Sequence, residues 1–117
     1  MQYLLMIYAN EEAWDSMSPE DQEAGIGAYM AYSEALTQAG AFVGSNRLHN
    51  VESATTIRME NEQAQVLDGP YADTKEQLGG YYLIDVDDLD AALSWAARCP
   101  GASHGIVEVR PVWEMTE

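Results

Sequence analysis

The sequence predicts an α+β domain on the ferredoxin-like β-α-β-β-α-β plan, an antiparallel sheet with two helices on one face and a β-hairpin inserted between its second and third strands. Three features predict it. Two stretches of helical periodicity, Ser18 to Gly40 and Asp87 to Pro100, each separate apolar runs of strand length. The runs at Tyr3–Tyr8, Tyr81–Val86 and Ile106–Trp113 are too short for helices of a packed core. Between the helices, two β-rich segments flank the polar tetrapeptide Glu60-Asn61-Glu62-Gln63, a hairpin pattern.

The elements follow in order. Tyr3 to Tyr8 is a nearly continuous apolar run, as in an interior strand. Asn10 to Met17 reads as a polar loop holding Trp14. Ser18-Pro19-Glu20-Asp21 then opens a helix: Ser18 caps it, Pro19 suits its first position, and the acids favour its positive end. Ile26, Tyr29, Met30, Ser33, Leu36 and Thr37 form the stripe expected to lie on the sheet, and Gly40 supplies the stop. Gly25 and Gly27 weaken that helix and imply close packing. A short strand at Ala41–Val43 and a loop through His49 lead to the hairpin strands Thr55–Met59 and Ala64–Leu67, closed by a turn at Asp68-Gly69-Pro70. Asp87 is expected to cap the last helix, whose Leu89, Ala92, Leu93 and Ala96 share a face.

At 117 residues the chain can bury one sizeable core, so a single domain spans 1–117. Helices on one face leave the other uncovered. A second copy is the economical cover, because two-fold dimers are the commonest oligomers. Twenty acidic against five basic residues give a net charge of -15, which repels phosphate backbones and anionic lipid, so direct nucleic-acid binding is not expected. Cys99 is the only cysteine, which excludes an internal disulfide and a thiolate-rich zinc site and fits a reducing cytoplasm. The first apolar run is too short for a membrane span and lacks the pattern of a signal peptide.

The stretch from Val66 to Ile84, with Asp68-Gly69-Pro70-Tyr71 at its head, resembles the signature of the DGPF branch of the YCII-related family, tyrosine replacing the usual phenylalanine. Ser53–Arg58 and the tail Val107–Val112 also resemble that family, so the likeness spans most of the domain. The resemblance implies a dimeric α/β barrel, a bacterial cytoplasmic setting and, for some members, a gene-level link to extracytoplasmic-function sigma factors. It brings no settled reaction. A histidine and aspartate pair has been proposed for the neighbouring YciI-like branch, with the histidine on the first helix. Ser18 to Ala39 contains no histidine here.

Asp68 has two readings: a turn residue whose carboxylate bonds nearby amides, or an acid or base in a cleft beside Tyr71. His49 or His104 could meet it in space, but their separation of 55 positions makes no metal-ligand spacing, and no metal site is expected. Thr74-Lys75-Glu76-Gln77 matches a capping box at a short helix start, where exposed amides and the scarce cation Lys75 would suit a substrate carboxylate. The alternative is a solvated lysine paired with an acid. Strand alternation puts Glu108 and Arg110 on the face away from Val107 and Val109, as a structural ion pair or as part of a ligand site. No nucleophile elbow, dinucleotide fingerprint or other cofactor motif occurs, so none is assigned. Two functions remain open: a small-molecule-binding domain, in its least demanding version a cofactor-independent acid/base enzyme, or a noncatalytic regulatory or accessory module associated with sigma-factor-dependent transcription.

Overall fold

The computed structural model describes residues 1–115. Strand β1 (Gln2–Ala9) alternates strictly: Tyr3, Leu5 and Ile7 are buried while Leu4, Met6 and Tyr8 stay half-exposed. The run is an interior strand, but this chain covers only one of its faces. With β2 (Phe42–Arg47), β5 (Gln77–Asp85) and β6 (Ile106–Pro111) it forms a four-stranded sheet of order β2-β5-β1-β6, antiparallel throughout. That is the predicted plan. The sheet is open, with β2 and β6 at its edges, so the described residues form no closed barrel of the kind implied by the family resemblance.

Two long helices cover one face. Helix α2 (Pro19–Gln38) starts as predicted, with Ser18 Oγ accepting from Asp21 N at 3.1 Å, and Gly40 leaves it at φ +72°. Its buried stripe is rotated from the predicted one. Tyr32 and Leu36 are buried and Ser33 bonds the Tyr82 hydroxyl at 2.7 Å, whereas Ile26 and Met30 are exposed. The reason is aromatic: Tyr32 packs edge-on against both Tyr82 and Trp95, and donates to the Trp95 carbonyl at 2.6 Å. Helix α3 (Leu89–Arg98) is capped by Asp88 rather than Asp87, and it buries Ala92 and Ala96 while Leu89 and Leu93 remain exposed. Leu5, Leu36, Ile84 and Cys99 are the fully buried centre, each aliphatic one contributing about 1.5–3 kcal/mol. Burial pushes the Cys99 thiol up from its ordinary value, which fits packing rather than reactivity.

The segment expected to be a polar loop contains a short helix, α1 (Glu11–Asp15), because Asn10 Oδ1 caps Ala13 N at 3.0 Å. Its Trp14 answers what Gly25 packs against: a Cβ there would lie 3.0 Å from the indole ring, while Arg47 stacks on that ring at 5.1 Å.

Strands β3 (Thr55–Glu60) and β4 (Gln63–Asp68) form a hairpin that is a sheet of its own. Asn61 and Glu62 turn it with φ of 49° and 66°, the type I′ geometry that matches strand twist. Every residue of both strands is exposed except Thr56, which is half-buried. The radius of gyration, 16.3 Å, exceeds the roughly 13 Å of a compact chain this long, as a projecting hairpin requires.

Candidate functional site

Three strand ends meet at Tyr8. Register sets Tyr8 opposite Ile106 on β6 and Leu78 on β5, with Ala9 opposite Gln77. On the open face, β6 presents Ile106, Glu108 and Arg110, while Val107 and Val109 pack against the core. The predicted division of β6 therefore holds. Tyr8 reaches diagonally to Glu108, its hydroxyl donating to Oε1 at 3.3 Å.

The loop before β5 supplies the cation. Gln77 pins it at two points: its Nε2 donates to the Thr74 carbonyl at 2.8 Å, and its Oε1 accepts from Glu11 N at 3.1 Å. The Thr74 hydroxyl donates to the Glu76 carbonyl. The predicted helix start at Thr74 does not form. Gln77 is already committed to the β1 ladder opposite Ala9, so no helical turn can follow, and its side chain seeks the Thr74 carbonyl instead of a capping amide. Lys75 nevertheless stands with Thr74, Glu76, Tyr8, Ile106, Val107 and Glu108 around an open groove of about 540 Å³. Burial, then the Glu108 carboxylate, raise the Tyr8 hydroxyl above its ordinary value, and Arg110 acts in the opposite sense. Tyr8 thus keeps its proton at neutral pH and remains a donor.

The other expected site residues lie apart from this groove. Asp68 ends β4 opposite Thr55 and is exposed, and its carboxylate has no hydrogen-bond partner among the described residues. Gly69 closes the hairpin base instead, at φ +111°, its N–H donating to the Ala54 carbonyl at 2.7 Å and its own carbonyl accepting from Thr56 at 2.8 Å. Tyr71 is 80% exposed. His49 follows β2 and His104 precedes β6, both exposed, and no hydrogen bond joins either to Asp68 among the described residues. Arg110 forms no ion pair among them, since the face it occupies is open and makes no demand for charge neutralisation.

Tyr8 and Glu108 are the pair that sequence reasoning missed. Alternation places Glu108 on a face, but only the β1–β6 register brings Tyr8 to it. Among the described residues, no group of three or more His, Cys, Asp and Glu is placed to hold a metal, and no helix is long and apolar enough to cross a membrane.

An antiparallel sheet with helices on one face, and with an open groove where Lys75 stands among Glu76 and Glu108 at one end of its other face, defines a mixed α/β domain. The sequence model of the YCII-related domain matches residues 1–116, and the chain belongs to that family. An uncharacterized protein of Rhizobium meliloti (strain 1021) is 37% identical over 114 residues, spanning 96% of this chain and 92% of that protein. Among solved structures the chain is similar to the 5-chloro-2-hydroxyhydroquinone dehydrochlorinase of Burkholderia phenoliruptrix AC1100, in complex with 2,5-dihydroxybenzoquinone, with a TM-score of 0.49 and 14% identity, over 99% of this chain and 96% of that one.

Proposed function

We propose that the chain is a small-molecule-binding domain whose ligand is a small organic acid held in the Tyr8 groove. The observation that carries this is the gathering of Lys75 and Glu76 with the Tyr8–Glu108 pair around one groove, beside the apolar wall of Ile106. A volume of about 540 Å³ suits a small organic molecule. Lys75 would hold the carboxylate, and the Ile106 side chain would take the apolar remainder. Should the domain be an enzyme, proton transfer is the chemistry that these groups supply without a cofactor: Glu108 accepts a proton, and protonated Tyr8 donates to a developing oxyanion.

In the same proposal the working form is a homodimer, in which a second copy covers the open sheet face and completes a barrel-like arrangement. Leu4, Met6, Tyr81 and Leu83 lie half-exposed on that face, in support. Any acid/base role for Asp68, His49 or His104 needs such an assembly, since nothing in the single chain brings them to the groove.

The test is a nuclear magnetic resonance titration with matched small carboxylic acids and their amides. The acids are expected to shift the amide signals of Tyr8, Lys75, Ile106 and Glu108, with a weaker response from the amides and from Lys75→Met. Absence of any response at these positions up to millimolar acid would overturn the assignment.

A further inference from the structure

The β3–β4 register divides the hairpin into two unlike faces. Directly opposed residues share a face, so Ile57 with Val66 and Met59 with Ala64 lie together, flanked by Thr55 and Asp68. The opposite face carries Arg58, Glu60, Gln63 and Gln65 with Thr56 and a single large apolar side chain, Leu67. On the apolar face Ile57, Met59 and Val66 are 64%, 61% and 58% exposed. A lone two-stranded hairpin is marginal in water, and its apolar face needs something to pack on.

A second copy of this chain fits that need on charge and on area. The open sheet face carries Glu108 and Arg110, one charge of each sign, and Asp85, which the N-terminal ammonium pairs at 2.9 Å, whereas Glu20, Asp21, Glu23 and Glu34 lie on α2 and Asp90 on α3, in the helix layer. Copies meeting through their open faces keep those acids apart despite the net charge of -15. The four-stranded face, with strands about 4.8 Å apart and about 20 Å long, offers only about 400 Å² of flat area, short of the roughly 800 Å² per partner of a stable interface. The hairpin, two strands of similar length, adds about half as much again before side-chain relief is counted.

The hairpin also springs from the appropriate end. The segment from Gly69 to Glu76 joins it directly to β5 where Gln77 pairs with Ala9, the end of the sheet that holds the groove. Its base is fastened to the body by Glu11, whose carboxylate accepts from Val51 N at 3.1 Å, and by Asn50 donating to Asp15 at 3.1 Å.

We infer that the hairpin β3–β4 is a dimerisation arm, laying its Ile57, Met59, Ala64 and Val66 face on a second copy at the rim of that copy's open sheet face. Two-fold symmetry makes the exchange reciprocal. Asp68, on the same face of the arm, enters the interface with it. The inference rests on the dimer reading above and names the element that secures it.

Sedimentation equilibrium from nanomolar to micromolar chain tests it on the wild type, on Ile57→Lys/Val66→Lys, and on a control with equal added charge at exposed positions of the other face, Gln63→Lys/Gln65→Lys. The apolar-face variant is expected to weaken dimerisation about 10- to 100-fold and the control by less than about 3-fold. A dimeric wild type with both variants equally dimeric overturns the arm and leaves the dimer standing. A monomeric wild type overturns both. Hydrogen exchange of the wild type gives a readout free of mutational damage: β3 and β4 amides should gain protection as concentration rises through the dimer range, and unchanged exchange there overturns the arm.

Discussion

The Tyr8 hydroxyl sits 3.3 Å from the Glu108 carboxylate, one diagonal step from its register partner Ile106. The pair joins an interior strand to an edge strand at the groove that Lys75 overhangs.

Tyr8→Phe removes the donor but keeps the ring. Because the hydroxyl is only half-buried, the fold should lose under about 1 kcal/mol, whereas affinity for a small carboxylic acid should fall about tenfold, the worth of one hydrogen bond to a charged group. Calorimetric titration checks it. Unchanged affinity would remove Tyr8 from the site.

Alkaline pH should loosen the core. Burial raises Tyr29, Tyr32 and Tyr82 above the ordinary value of 10.0, and Cys99 above 9.0. The folded chain then holds protons that the unfolded chain has released, so this contribution to stability is intact below about pH 9 and declines as pH rises beyond it. Urea midpoints should be level from pH 7 to 8.5 and fall progressively at pH 10 and 11, with an unchanged slope. A midpoint that stays level to pH 11 would contradict the burial of these groups.

Two glycines test close packing, Gly101 in the core and Gly105 behind Tyr8. A Cβ at Gly101 would lie 2.6 Å from the Tyr29 hydroxyl and 2.7 Å from Ile7 Cγ2, and one at Gly105 would collide with the Tyr8 carbonyl. Gly101→Ala should cost about 1–3 kcal/mol, since a ring and a methyl group can give a little. Gly105→Ala meets backbone, so it should cost more and displace the start of β6, weakening ligand binding as well. Equal, small costs measured by denaturant unfolding would be the contrary result.

Much of the frame was legible in local patterns: the Ser18-Pro19 start of α2, the Gly40 stop, the hairpin around Asn61 and the division of β6 into Val107/Val109 and Glu108/Arg110 all rest on residues near in sequence. The errors have a common cause. The stripe of α2 was misplaced because Tyr32 is fixed by Tyr82 and Trp95, which lie 50 and 63 positions away in the chain. The Thr74 capping box looked complete, yet Gln77 was claimed by a ladder partner, Ala9, on the first strand. The groove was half-visible: Lys75 stood out as a rare cation, but Tyr8 and Glu108, 100 positions apart, meet only through register. Asp68 stands in a distinctive motif, and the structure sets that motif at the base of the hairpin.

Gly69→Ala should separate the arm from the core. At φ +111° an alanine is strained although nothing lies within 4 Å of the new Cβ, so the cost is backbone strain of about 1–3 kcal/mol with no clash. The chain can relieve it by turning the peptide that donates to Ala54 and accepts from Thr56, which loosens the hairpin base. Because β3 and β4 form a sheet of their own, the four-stranded core should keep its slow-exchanging amides while hairpin amides exchange about tenfold faster, and dimerisation should weaken with them. Asp68→Asn is the companion variant: it preserves the backbone and should leave hairpin exchange as in the wild type, so any change it makes in ligand affinity belongs to the carboxylate. Core and hairpin amides accelerating together in Gly69→Ala would show that the hairpin is part of the global folding unit and would end the description of it as an independent arm.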